Sequence, residues 1–188
     1  TKHIDGQGRC LGGIVLGSAD YIENHLANFI RQTGPSLAPF NAWIMLKSLE
    51  TLALRVDAHC ANAEKLADFL LGQNKVTRMV YPGHDSHPQY ALAQKQMQRG
   101  SNLIAFEVAG GQENAFKLAN ALEIALISNN LGDAKTLITH PATTTHAKLS
   151  DAAKAELGIT AGSLRVSVGL EDGQDLVDDF ANALSKLD

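Results

Sequence analysis

The chain has 188 residues, a formal net charge of −4 at pH 7 and 45% apolar residues. That length holds one domain, or the edge of a large domain plus a small one, and the apolar share excludes a disordered chain. The acidic balance (pI about 5.9) argues against nucleic acid as the main partner, and with no run of 18 apolar residues no membrane-spanning helix is expected.

The first residues, Thr1-Lys2-His3-Ile4-Asp5, show no signal-peptide pattern and no initiator Met, so the chain reads as cut from something longer. Residues 1–20 are glycine-rich, and Leu11 to Gly17, with Ile14–Leu16 at its centre, reads as a short buried strand bounded by turn residues. Tyr21 to Arg31 has apolar residues near helical spacing, and residues 32–39 form a turn-rich link with Gly34, Pro35 and Pro39. From Pro39 to Leu71 the apolar positions Leu46, Leu49, Leu52, Val56, Cys60, Ala63, Leu66 and Leu70 recur at three- and four-residue steps, with Gly72 as the stop. A helix this long breaks near its middle or spans two domains, and the second is the expectation.

Short alternating elements follow. Strands are expected at Val76–Tyr81, Leu103–Val108, Ile124–Ile127 and Leu164–Val168. Helices are expected at His87–Met97, Gln112–Leu122, from Ser150 as cap to Leu157, and from Asp172 to the end. Residues 128–148, rich in Asn, Thr and His, read as irregular. The domain division is residues 1–74 and 75–188, the second a compact α+β unit with its helices on one sheet.

Few residues suggest chemistry without further context. Lys2 precedes a turn, Asp5-Gly6-Gln7-Gly8, where a desolvated lysine acts as nucleophile or base; a solvated terminal charge is the plainer reading. Gly6-x-Gly8 lacks both a third glycine and a following helix, so it is turn chemistry and not a dinucleotide cradle. His84, His87, His140 and His146 lack metal-ligand spacing and read as surface or loop histidines, so no metal is expected. Cys10 and Cys60 form no CxxC pair; they read as small buried side chains in a reducing, cytoplasmic compartment. Arg165 sits in the alternating strand Leu164–Val168, where a half-buried fork needs an anion. The alternatives for it are an exposed strand face or a pair with Glu171 or Asp172. The polar stretches Asn129–Thr136 and His140–His146 suggest a binding loop, or a solvated link.

Together these segments resemble the pyridoxal-phosphate enzymes of cysteine and methionine metabolism, in the carboxyl-terminal half only. Thr1-Lys2-His3-Ile4-Asp5-Gly6 is similar to the end of the family's lysine motif, and Gly34–Trp43 with Leu49–Leu52 and Arg55 to its interdomain helix. Val80-Tyr-Pro-Gly83 with His87-Pro88 is similar to the start of its small domain. Asn130–Leu137 with His140–His146 resembles its O-succinylhomoserine sulfhydrylase branch, and Leu164–Asp172 its terminal arginine motif.

The resemblance implies an α/β fold of the type I pyridoxal-phosphate transferases, like aspartate aminotransferase: the end of the large domain plus the α+β small domain. It implies pyridoxal 5'-phosphate as cofactor, Lys2 as the lysine that bonds it and moves protons, and Thr1 on its phosphate. It implies Arg165 on the substrate α-carboxylate, with Asn130 and Thr145 beside it; Asn130 replaces a Ser common in relatives. The implied reaction is γ-replacement, in which succinate leaves O-succinylhomoserine and sulfide adds to give homocysteine. Cystathionine formation, or an acetyl ester, are the alternatives. A dimeric or tetrameric homo-oligomer is implied for the intact enzyme. The family's phosphate-binding Gly turn, ring-stacking aromatic and ring-nitrogen Asp would lie upstream of Thr1. The expectation is therefore a fragment inactive alone, with an exposed apolar patch and the strand Ile14–Leu16 orphaned from its sheet.

Overall fold

Alternating apolar residues build the sheet around which the rest is arranged. The computed structural model describes residues 1–187. Its strands are β1 (Val76–Val80), β2 (Leu103–Val108), β3 (Leu126–Ile127), β4 (Leu137–Thr139) and β5 (Ser163–Ser167). Their order is β1-β2-β5-β4-β3. β2 pairs antiparallel with β1 and β5, β5 antiparallel with β4, and β3 parallel with β4. One face carries Ile104, Phe106, Ile138, Leu164 and Val166, all buried. The period of two then sends Arg165 to the opposite face, level with Ala105 on β2 and Thr139 on β4.

The helices are α1 (Ala19–Tyr21), which runs through a π turn at Ile22–Leu26 into α2 (Ala27–Thr33), then α3 (Pro39–Leu49), α4 (Leu52–Leu71) and α5 (Tyr90–Gln96). After them come α6 (Gly111–Ala121), a 3-10 turn (Pro141–Thr143), α7 (Asp151–Glu156) and α8 (Gly173–Ser185). Helices α4, α6 and α8 cover the apolar face. α4 contributes Ala63, Leu66, Ala67 and Leu70, and α8 Leu176, Phe180, Ala183 and Leu184. Phe180 meets Phe106 edge-on at 6.4 Å. Each large side chain buried there contributes about 1.5–3 kcal/mol by leaving water. The core thus draws on residues from both sides of residue 74.

Caps behave as their side chains require. Ser150 accepts from the Ala153 N–H, and Asp172 from those of Gln174 and Asp175, which holds the Asp172 carboxyl below its ordinary value. Asp179 on α8 accepts from the N–H groups of Glu123, Ile124 and Ala125, tying the approach to β3 onto the core.

Four expectations are corrected. Leu11–Gly17 forms no strand: among the described residues no partner strand lies beside it, and Ile14 and Leu16 are exposed. The long helix breaks at Glu50–Thr51, where the N–H groups turn back to the carbonyls of Lys47 and Ser48. Its apolar stripe is buried only from Cys60 onward; Leu46, Leu49 and Leu54 are exposed. Residues 128–148 are not wholly irregular, because Leu137–Thr139, buried on every side chain, completes the sheet as β4. The strand expected at 124–127 is only two residues long. Among the described residues no helix is long and apolar enough to cross a membrane.

Candidate active site

Three residues far apart in sequence meet on the face of the sheet away from the core. The Lys2 Nζ donates to Asn130 Oδ1. Arg165, on β5, donates from Nη2 to the carbonyls of Asn129 at 3.0 Å and Asn130 at 3.1 Å. Asn130 therefore touches the amine with its side chain and the guanidinium with its backbone.

Arg165 has no carboxylate in either place considered for it. Glu171 accepts from the N–H and hydroxyl of Thr136 at 2.6 and 2.8 Å, and Asp172 is committed to its cap. Its Nε is buried and lacks any partner among the described residues. Burial pushes the guanidinium below its ordinary pKa. A half-buried cation served only by two carbonyls, both at Nη2, with its Nε and Nη1 donors unfilled among the described residues, is an open seat for a carboxylate.

The amine is held by local backbone geometry. The Gly6 N–H bonds the Lys2 carbonyl at 2.7 Å, and the Gly6 carbonyl accepts from Ala134 at 2.7 Å. Gly6 has φ 72°, and a Cβ there would collide with the Arg55 guanidinium, so glycine is required twice over. Gly132 (φ 70°) similarly lets the His3 ring approach; a Cβ would stand 2.7 Å from its Nδ1. Asp5 is buried and accepts from the N–H of Arg9 at 2.6 Å and its Nε at 2.9 Å. His3 Nε2 bonds Asn102 Oδ1 at 2.9 Å, and Asn102 donates to Ser167 and Val168 beside Arg165.

Thr1 lies at the mouth of an open cleft of about 540 Å³ between Leu11–Gly13 and Pro35–Leu37. Its hydroxyl exchanges hydrogen bonds with Gly12. Thr145 is exposed and bonds the neighbouring His146 ring at 2.8 Å; no contact joins it to Lys2 or Arg165. His140, read as a surface residue, is buried and bonded to Thr143 and to the Ala161 carbonyl. No group of three or more His, Cys, Asp and Glu gathers among the described residues. Both cysteines are buried. A second cavity of about 400 Å³, lined by His3, His59, Cys60, Arg99 and Asn102, contains neither Lys2 nor Arg165. The supporting roles of Asn102 and Arg55 were hidden in sequence; Arg55 stood inside a matching motif, but its contacts cross 51 and 52 residues.

A lysine amine and an arginine whose buried Nε is unfilled thus both meet Asn130. The family model of Cys/Met metabolism PLP-dependent enzymes matches residues 1–185. The chain belongs to this family. An O-succinylhomoserine sulfhydrylase of Mycobacterium tuberculosis is 48% identical over 191 residues, covering 98% of this chain and 47% of that protein. An L-methionine gamma-lyase of Treponema denticola is 41% identical over 188 residues, covering 100% and 47%. A Campylobacter jejuni protein solved with N'-pyridoxyl-lysine-5'-monophosphate superposes with a TM-score of 0.91 at 32% identity, covering 98% of this chain and 52% of that one. The chain thus has the mixed α/β fold of these PLP-dependent enzymes and spans about half the length of the relatives it matches.

Proposed function

We propose that this chain is the carboxyl-terminal half of a pyridoxal-phosphate enzyme that replaces the succinyl group of O-succinylhomoserine with sulfide, giving homocysteine. In this reading residues 1–74 end a cofactor-binding large domain and 75–188 form the small domain. The observation that carries it is the unpartnered Nε of Arg165 beside Lys2 and Asn130. The sulfhydrylase relative supports the choice of reaction.

When bound, the cofactor supplies an electron sink that lets protons leave carbon. The chain's own residues do the rest. Arg165 binds the α-carboxylate and so fixes which bond at Cα is aligned. Lys2 would hold the cofactor and, when its amine is free, would take one proton from Cα and one from Cβ as succinate leaves Cγ, returning both once the hydrosulfide sulfur has bonded Cγ. Asn130 orients the freed Nζ. Thr1 serves the phosphate. The bond from Cγ to the succinyl oxygen breaks, succinate departs, and sulfur bonds Cγ.

A protein of the relatives' length bearing this chain, incubated with pyridoxal phosphate and reduced with borohydride, is expected to carry the label on Lys2; labelling spread over surface lysines overturns the assignment. In a protein of the relatives' length bearing this chain, sulfide and the succinyl ester should yield homocysteine. Arg165→Lys should raise KM for the ester by about tenfold to a hundredfold, as expected when a bidentate carboxylate contact is lost. Faster turnover of the acetyl ester, or of cysteine as nucleophile, would move the assignment to another branch of the family.

A further inference from the structure

The segment carrying Lys2 is fastened at three points. The Gly6 carbonyl accepts from Ala134, the His3 ring bonds Asn102, and the carbonyls of His3 and Ile4 accept from Arg55 at 2.9 and 3.3 Å. The third point differs in kind, because the same guanidinium also reaches back to the helix break. Its Nη2 donates to the Ser48 carbonyl at 3.0 Å and its Nε to the Thr51 hydroxyl at 3.2 Å. In an unbroken helix the Ser48 carbonyl would belong to the N–H of Leu52. The break at Glu50–Thr51 leaves it to weaker donors, the N–H and hydroxyl of Thr51 at 3.3 and 3.4 Å, and to Arg55.

All four acceptors of Arg55 are neutral oxygens. The Asp5 carboxylate is taken by Arg9. A guanidinium spent this way holds geometry more than it neutralises charge. Its planar fork fixes angles as well as distances, which a lysine's single point of charge cannot do. Gly6 completes the arrangement by leaving room for Nη1.

We infer that Arg55 is a positioning residue that joins the break between α3 and α4 to the backbone at His3 and Ile4, and thereby sets where the Lys2 amine meets Asn130. The importance of that position for catalysis rests on the proposed cofactor role of Lys2; the clamp itself does not.

The test uses this chain with Arg55→Ala and Arg55→Lys, and reads hydrogen exchange at the amides of Gly6 and Ala134. Loss of one charge-assisted bond should speed exchange there by about tenfold. Arg55→Lys should behave like Arg55→Ala, since it keeps the charge and loses the fork; it also serves if Arg55→Ala does not fold. Amides of β2 and β5 should be unaffected. Exchange at Gly6 and Ala134 within about twofold of the parent in both variants overturns the inference, and parental behaviour of Arg55→Lys alone overturns the role of the fork. Borohydride trapping of pyridoxal phosphate on the same three sequences, each carried in a protein of the relatives' length, separates the two claims. Weaker labelling of Lys2 in the variants, with surface lysines unchanged, supports both. An unlabelled Lys2 in the parent, together with the expected exchange pattern, sinks the cofactor reading and leaves the clamp standing.

Discussion

Residues 1–54 and residues 63–187 contain similar apolar patterns in opposite surroundings. In the second region Leu66, Leu118, Ile138, Leu176 and Phe180 are fully buried among one sheet and three helices. In the first, Leu16 is 81% exposed, Leu54 73% and Phe40 67%, with Phe40 stacked only on its neighbour Trp43 at 6.0 Å. Helical spacing of apolar residues states a need for burial, and the partner that meets the need must come from elsewhere in the fold. The candidate site lies on the seam: Lys2 comes from the first region, Asn130 and Arg165 from the second. Its geometry depends on how firmly the first region is fastened to the second.

The sharpest contrast is in packing. Phe180→Ala should cost about 3–5 kcal/mol of stability by opening a cavity in the core, whereas Phe40→Ala should stay within about 0.5 kcal/mol. Urea unfolding of both variants checks this, and equal costs would break the distinction between the regions.

A smaller effect is expected at the fastening itself. Burial raises the Asp5 carboxyl, but the N–H groups of Arg9 and Cys10 and the Arg9 guanidinium outweigh it and hold the pKa below its ordinary value. Asp5→Asn should loosen residues 1–10 by about 1–3 kcal/mol, since it removes the negative charge and replaces one of the two oxygens that accept from Arg9 and Cys10 with a donor. Limited proteolysis near Gly8 should accelerate while unfolding of the core does not change.

The smallest effect is on acid stability. His59 is fully buried, donates from Nδ1 to the Val168 carbonyl at 2.7 Å, and has a buried Nε2 without a partner among the described residues. Burial lowers its pKa. Below about pH 6.5 the unfolded chain binds a proton that the native chain refuses, so stability falls from there as pH drops towards the folded value, then levels off. His59→Asn, which keeps a donor towards Val168, should flatten that slope; an unchanged pH profile would show that His59 contributes no linkage.

Much of the second region was legible in sequence. β1, β2 and β5 follow from alternation over five or six residues, and α7 and α8 from their caps Ser150 and Asp172. Three residues, Leu137–Thr139, are too few to show a period, so β4 was not. In the first region a short apolar run punctuated by glycines suggested a strand at Ile14–Leu16, but a strand exists only where another strand accepts its hydrogen bonds. The family's lysine and arginine motifs marked Lys2 and Arg165. Sequence left open what Arg165 faces, because Glu171 and Asp172 stood close by and their commitments to Thr136 and to a helix cap arise from folding.

Local chemistry is carried by neighbours along the chain, and there the sequence by itself determined the outcome: caps, glycine turns and the family. Tertiary structure decided the rest. It broke the long helix at Glu50–Thr51, brought Lys2 to Asn130 across 128 residues, and left Arg165 with an unfilled N–H. The physical reason is the same in each case. Whether a polar group is satisfied or an apolar face is covered depends on what packs against it, and that partner is set by the closure of the whole chain.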